Sequence, residues 1–537
     1  MCYDNVDWIS RVRFIVRPMP HNSVKTANFS YFVGPALAKA EFYLSRHALA
    51  AGEAGRYGKR PQVIPSKTPM EGEDTMKKFR LLLAAGLLLL LTGCFSQSVE
   101  ELYAPPRAPD DYLKLDNKIN EVLNEGGEYA APLTGEYTQK VQLQDLDGDG
   151  VQEAIAFFRV SSSERPLKIY VYRQTGDNYE VAAIIEGEGS AINYVAYENL
   201  DNSPSKEIIV SWQMMSDQNH SLAAYSINND HVLELMRTSY TNFQICDIDQ
   251  DSQGEIVVVQ TGVTEESNRV ELYNYQDGMM ELNSSAPLSR NVTGLPDGGV
   301  KTGYLQDNIP AVFVSSTYGR SGTAQNYTDI SYSESGQITD IFAWKGGRIQ
   351  NITLDPDTGE SDNTIRWYTA VTAKDINNDG ILELPDPYAL PDPNSTSVAV
   401  NFWAIRWRQY DIDGKPHLVF TTYYNDRDGW YFILPDDWDG KITITRSDVA
   451  GGGERAVIFS YWTGSADVDP APFLVIYTLS GDNRFMRANM SGRFRLLEGN
   501  DDSDTIYAAR FIQTDWDCGL DESGVKAHFA LITNDWS

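Results

Sequence analysis

Asp145-Leu146-Asp147-Gly148-Asp149-Gly150-Val151-Gln152-Glu153 decides the reading of this 537-residue chain, because degraded copies of it recur downstream. Asn199-Leu200-Asp201-Asn202-Ser203 leads to Glu207, and Asp247-Ile248-Asp249-Gln250-Asp251 leads to Glu255. Asp375-Ile376-Asn377-Asn378-Asp379-Gly380 leads to Glu383. In all four, side-chain oxygens fall at positions 1, 3, 5 and 9. Three copies run directly into apolar segments that read as strands, Ala154 to Phe158, Ile208 to Trp212 and Ile256 to Val259. Hard cations such as calcium take six to eight oxygens, which alternating carboxylates on a tight loop supply. The chain therefore reads as a repeat protein with a cation-binding loop in its unit.

An EF-hand shares the opening of this loop but needs a bidentate Glu at position 12 and a helix on each side. Position 12 of the first copy is Ala156, inside a β-type run. Position 12 of the fourth is Asp386, where Pro385 and Pro387 forbid an exiting helix. The EF-hand is rejected.

Each unit has a second half, in which an apolar segment around a Tyr is followed by a turn and another strand. Tyr170, Tyr225 and Tyr273 lie 25 or 26 residues after their loop starts, followed by Thr175-Gly176-Asp177-Asn178, Asn228-Asn229-Asp230 and Gln276-Asp277-Gly278. Such Asx and Gly turns are hairpin signals. Counting back from Tyr332 gives Gln306, ahead of the strand-like Ala311 to Val314, a further unit whose metal loop is lost. Periods of this size signal propellers or solenoids.

These motifs resemble the FG-GAP/VCBS repeats of integrin-α-like β-propellers, over roughly residues 130 to 410. The resemblance implies four-stranded blades with a calcium-holding loop between two strands. It implies metal roles for Asp145, Asp147, Asp149 and Glu153, with the Val151 carbonyl at position 7. By the same matching it implies Asp247, Asp249, Asp251 and Glu255, and Asp375, Asn377, Asp379 and Glu383. The copy at Asn199 departs from the pattern, with Ser203 at position 5 and Pro204 in place of Gly.

Met76-Lys77-Lys78-Phe79-Arg80 is a basic n-region before the apolar run Leu81 to Leu91. The run is too short for a membrane span, which needs about 20 residues, but fits a signal-peptide core. Leu91-Thr92-Gly93-Cys94 resembles the bacterial lipobox, which implies cleavage before Cys94 and diacylation of its sulfur. Residues 76–93 are then a lipoprotein signal peptide, and 1–75 either an over-extended gene model, with translation starting at Met76, or a disordered leader; the alternative is a real leading domain with Leu81 to Leu91 as an internal anchor. The expected location is the extracytoplasmic face of a bacterial membrane, held by the lipid.

From Cys94 onward the chain carries 31 Lys and Arg against 68 Asp and Glu, a net charge of −37. Such a surface repels nucleic-acid phosphates and attracts cations. Residues 94–128 read as a Pro-rich tether followed by a helix, with Tyr112, Leu115, Ile119 and Val122 at helical spacing, expected to pack on the first blade. Residues 129–410 hold the propeller repeats, with Leu384 to Pro393 expected as a loop off one face. Beyond Asp411 the style becomes aromatic and acidic, so 411–537 reads as a small α+β module, or as closing blades plus a terminal amphipathic helix from Asp521 to Ile532. The expected fold is mainly β, a β-propeller of about six to seven four-stranded blades with that C-terminal module. Cys246 and Cys518 leave one disulfide conceivable, and nothing in the sequence says they meet.

No H-E-x-x-H, G-x-S-x-G or P-loop is present. The expected function is non-enzymatic, a calcium-braced propeller that binds an extracellular protein or polysaccharide. The alternative is a carbohydrate-active enzyme using an acidic pair. Trp403, Trp407, Trp430 and Trp438 either stack on sugar or fill cores, and burial statistics for aromatics favour cores.

Overall fold

The computed structural model describes residues 110–532, apart from 177, 215–219, 229, 263, 320–334, 392–401, 450–452, 463, 466–467 and 498–503. The expectations for 1–75, for the signal peptide, for Cys94, for the tether and for Tyr332 lie outside the described residues.

Among the described residues, six antiparallel sheets follow one another along the chain. The first runs Val141–Gln144, Glu153–Arg159, Leu167–Thr175, Asn178–Gly187, with Glu128–Tyr129 beside Val141–Gln144 on the same neighbour. The second runs Ala191–Glu198, Glu207–Gln213, His220–Asn228, His231–Tyr240, and the third Asn242–Cys246, Glu255–Gln260, Arg269–Gln276, Met279–Pro287. In the fourth, Val292–Gly294 and Val300–Leu305 share the edge of Ile309–Gly319, followed by Ser335–Trp344 and Ile349–Asn351. The fifth joins Leu384–Ala389, Trp403–Tyr410, Pro416–Asn425 and Trp430–Leu434. The sixth joins Ile442–Val449, Glu454–Tyr461, Ala471–Ser480 and Thr505–Phe511, edged by Phe494–Arg495. Consecutive meanders of this kind are the arrangement of propeller blades.

Strand periodicity explains the stacking. The second strand of each early sheet is an uninterrupted apolar run because both of its faces are covered. Ile155 and Phe157 pack toward the second sheet, while Ala154, Ala156 and Phe158 point the other way. Ile208 and Val210 meet the first sheet, and Ile209 meets Ile256 and Val258 of the third. Val257 and Val259 then meet Val312, Val314 and Phe342 of the fourth. Ala311 and Phe313 reach Leu384 and Tyr410, and Tyr423 and Phe432 reach Val457 and Phe459 of the sixth. Alternation with a period of two builds each of these layers. Outermost strands alternate instead, as Asn178–Gly187 does, because only one face is buried.

Helices cover the end faces. In Asp110–Asn124 the buried Leu115, Ile119 and Val122 sit on Ala154, Ala156, Phe158 and Tyr172, as the helical spacing predicts. On the sixth sheet, Phe485 and Ala488 of the short helix Arg484–Ala488 sit on Leu479, Ile506 and Ala508. Among the described residues, no buried apolar cluster joins the sixth sheet to the first.

Three expectations are corrected. Leu384–Ala389 is a strand rather than a loop, pairing Pro385 with Trp407 and Pro387 with Ile405. It is an edge strand, where a residue without an N–H is tolerated. The boundary at Asp411 falls between two strands of one sheet, since Trp403–Tyr410 pairs with Pro416–Asn425; of the two readings of 411–537, the strand pairing follows the one with further sheets beyond Asp411. The terminal helix is only Glu522–His528, capped by Asp521 accepting from the Gly524 N–H at 2.7 Å. Phe529–Leu531 then continues as a strand along Trp430–Leu434. Cys246 and Cys518 are free thiols on the third sheet and on the shared core of the last two sheets.

Candidate metal-binding loops

The acidic loops sit at one topological place, between the first and second strands of the first, second and third sheets. In the fifth sheet the equivalent loop lies between Lys374, which bridges to Glu383, and the strand Leu384–Ala389. The fourth sheet has only the turn Gln306–Asn308 there, as its lost loop predicts.

One hydrogen bond recurs in all four loops. The position-2 N–H donates to Oε2 of the position-9 Glu, at 2.9 Å for Leu146 to Glu153, 2.8 Å for Leu200 to Glu207 and 2.9 Å for both Ile248 to Glu255 and Ile376 to Glu383. Position 2 is apolar in each and tucks into the core. The four glutamates are buried, and that burial raises their pKa values. Glu207 and Glu383 are pushed up to about 7, and Glu255 to about 8 with help from Asp249, Asp251 and Asp247. A buried carboxylate whose charge is this costly invites a cation.

The loop backbone follows from turn chemistry. Asp145 accepts from the N–H groups of Gly148 and Gly150 at 2.9 and 3.0 Å, and Asp375 accepts from Asp379 and Gly380 at 3.1 and 2.9 Å. Asp247 accepts from Asp251 and Ser252, both at 3.0 Å. Positions 4 and 6 are left-handed in these three loops: Gly148 and Gly150, Gln250 and Ser252, Asn378 and Gly380. In the Asn199 loop only position 4, Asn202, is left-handed, because Pro204 at position 6 cannot take a positive φ.

Among the described residues three carboxylate triads result, in each of which one oxygen per residue lies within 4.8 Å of the others: Asp145, Asp147, Glu153; Asp247, Asp249, Asp251; and Asp375, Asp379, Glu383. Asp149 and Glu255 stand outside these triads but in the same loops. Asp149 accepts from Val151 N–H at 2.7 Å, and the Val151 side chain is exposed. Asn377 donates to Asp379 at 2.8 Å. Hard oxygen donors at this spacing suit calcium. On the third strand of the same sheet as the Asp247 loop, Asn274 Oδ1 is buried without a hydrogen-bond partner. The Asn199 loop has two carboxylates, and its Asn199 amide is spent on the Ser203 carbonyl.

The loops are strung together. Lys206 N–H donates to Leu146 O at 2.8 Å, and Gly254 N–H to Asn199 O at 3.0 Å. Gln250 reaches Asn308 O at 3.3 Å, and Leu382 N–H reaches Tyr304 O at 3.1 Å. Two side chains from the strand that follows the one leaving the loop also enter the loops, Arg173 of Leu167–Thr175 in the first sheet and Gln409 of Trp403–Tyr410 in the fifth; that strand is the third of its sheet, counting the Lys374 bridge as the first in the fifth. Sequence reading missed both, since each depends on strand register rather than on the motif.

A polar cavity of about 440 Å³ is lined by residues of the first strands of the second and third sheets, among them Asn193, Tyr194, Glu198, Asn242, Phe243 and Gln244. Phe243 is edge-to-face with Tyr194 at 5.3 Å and with Tyr240 at 5.0 Å. The tryptophans weighed as sugar platforms are elsewhere: Trp407, Trp430 and Trp438 are core residues with at most 1% exposure, and Trp403 stacks on Tyr368 at 5.0 Å.

No protein-family profile matches the chain, and no curated protein matches it. Among solved structures it is similar to the N-terminal domain of Nup159, at 10% identity over 71% of this chain and 79% of that one, with a TM-score of 0.22. It is also similar to rhamnogalacturonan lyase YesW, at 12% identity over 63% and 71%, with a TM-score of 0.24. A third is the β-propeller domain of the Trilobed protease from Pyrococcus furiosus, at 9% identity over 64% and 91%, with a TM-score of 0.22. At such scores the strand pairing itself remains the ground for the fold. No helix among the described residues is long and apolar enough to cross a membrane.

Proposed function

We propose that this chain is a calcium-braced β-propeller of six blades, held by a lipid on Cys94 at the extracytoplasmic face of a bacterial membrane, that binds an extracellular protein or polysaccharide. The observation carrying the proposal is the set of three carboxylate triads, each within 4.8 Å, on loops at equivalent places in their sheets and tied to neighbouring loops by hydrogen bonds. When bound, calcium supplies positive charge and coordination that the crowded carboxylates otherwise lack. Asp145, Asp147 and Glu153 would hold it in the first loop, Asp247, Asp249 and Asp251 in the third sheet, and Asp375, Asp379 and Glu383 in the fifth. The protein's own part is to orient these oxygens through the recurring Glu bond and the left-handed turns, and so to stiffen one row of loops.

The cavity beside Tyr194 and Phe243 supports the polysaccharide form of the partner. Among the described residues its lining combines aromatic rings, including His220, with amides and hydroxyls and has no Lys or Arg, a composition suited to neutral hydroxylated rings. Among the described residues Glu198 is its one carboxylate, whereas the two-carboxylate enzyme reading needs a pair. A glycan array probed with the full chain tests the binding reading: retained binding that Phe243→Ala abolishes supports it, and no retention on any glycan removes the polysaccharide form. Incorporation of labelled palmitate, lost in Cys94→Ser, tests the anchor.

A further inference from the structure

Four third-strand residues occupy one register position behind the acidic loops. Tyr172 pairs with Ala154, Tyr225 with Ile208, Tyr273 with Ile256 and Arg408 with Leu384, each partner being the residue after the position-9 Glu. A register shift borders Tyr172, Tyr225, Tyr273 and Arg408 alike. The next residues along are Arg173, Ser226, Asn274 and Gln409.

What these residues do differs from loop to loop. Arg173 brings a guanidinium against the first loop, 3.3 Å from Asp147 and 3.9 Å from Glu153, and also pairs with Asp230 of the second sheet at 2.7 Å. Gln409 donates its amide to Asp379 and to Glu383, both at 2.7 Å. Asn274 places an unpartnered, buried amide oxygen at the same register behind the third sheet's loop. That loop carries four carboxylates, and its one side-chain donor among the described residues is Gln253, from within the loop.

We infer that this third-strand residue sets the calcium affinity of its loop: Asn274 leaves Asp247–Glu255 the tight site, while Arg173 acts as a built-in cation that weakens the Asp145–Glu153 site. The inference rests on the calcium reading above. A fixed guanidinium neutralises part of the charge that attracts the ion and repels the ion itself at short range. Arg173 keeps Asp230 as a partner, so it has somewhere to stay when the ion enters. Gln409 competes more mildly, because its donor hydrogens must turn away from two oxygens before a cation can use them.

Calorimetric titration of the full chain with calcium chloride, at neutral pH and 0.1 M salt, tests this. The wild type should show one tight class and weaker sites. Arg173→Met should tighten a weaker class by about tenfold or more through loss of one repelling charge, and Arg173→Gln should do so less. Circular dichroism of both variants checks that the sheets persist, and the Gln variant keeps the test open if the Met variant misfolds. Asp249→Ala should remove the tight class, and Asp147→Ala should leave it. Equal affinities unmoved by either Arg173 variant, or a tight class lost with Asp147 rather than Asp249, would overturn the inference while leaving the calcium reading standing. Absence of calcium binding in the wild type and every variant would overturn both.

Discussion

The main-chain N–H of Ile248 donates to Oε2 of Glu255 at 2.9 Å, and both residues are buried. This bond closes the acidic loop from inside, fixing the last carboxylate under the first. With its three counterparts it makes the loops the same object in four sheets. It also keeps a carboxyl group where ionisation is expensive.

A pH dependence follows from that cost. Glu255, with a folded pKa pushed to about 8 from an ordinary 4.5, binds its proton more tightly folded than unfolded, as do Glu207 and Glu383 at about 7. In chelator, their contribution to stability is fully present below pH 4.5 and is lost as pH rises through the folded values. The melting temperature should therefore decline from pH 5 to 8, and Glu255→Gln should flatten the decline. Calcium should flatten it too, by holding the carboxylates ionised. A chelated melting temperature that rises over this interval would contradict the assignment.

Two residues of the third sheet's loop carry side chains in backbone conformations that favour glycine. Gln250 and Ser252 have φ of 64° and 74°, where the first loop has Gly148 and Gly150. Ser252→Gly should stabilise the protein by about 1 kcal/mol, the usual cost of a left-handed L-residue. Chemical denaturation measures it. The reverse change, Gly148→Ala, meets the second loop, since its Cβ would lie 2.5 Å from the Pro204 carbonyl oxygen. That substitution should cost about 1–3 kcal/mol from backbone strain, with further loss from the clash.

Asp340 should be the costliest polar residue to remove. It is fully buried and accepts from Ser289 N–H at 2.9 Å, Ser289 and Ser361 hydroxyls at 2.6 Å each, and the Asn351 amide at 2.8 Å. It thereby joins Ser335–Trp344 to Ser289, to Ile349–Asn351 and to Ser361. Asp340→Ala strands the Ser289 N–H and hydroxyl, while Asn351 keeps the Pro287 carbonyl at 3.1 Å and the Ser361 hydroxyl keeps Thr353 at 2.9 Å, and should destabilise by about 3 kcal/mol. A loss under about 1 kcal/mol would mean that water takes over the network.

Much of this was legible because the loops, the apolar second strands and the first helix are local patterns. Ala154 to Phe158 announces a strand, and Leu115, Ile119 and Val122 announce one helix face. The misreadings share a cause, in that each depended on pairing partners far along the chain. Pro385 and Pro387 look like breakers until Trp403–Tyr410 shows them on an edge. The aromatic style after Asp411 hides a continuing sheet, because Trp430 and Trp438 are its core. Tyr172, not Tyr170, is the counterpart of Tyr225 and Tyr273, and only the register reveals it, bringing Arg173 and Gln409 with it.

The central claim is that calcium braces these loops, and thermal unfolding of the full chain in calcium and in chelator tests it most directly. A melting temperature several degrees higher in millimolar calcium, with Asp249→Ala losing most of the rise, is the predicted result; millimolar concentrations suit extracellular sites with dissociation constants of roughly 10⁻⁴ to 10⁻³ M. Superimposable curves with and without calcium would contradict it, leaving the acidic loops as turns held by their own backbone bonds.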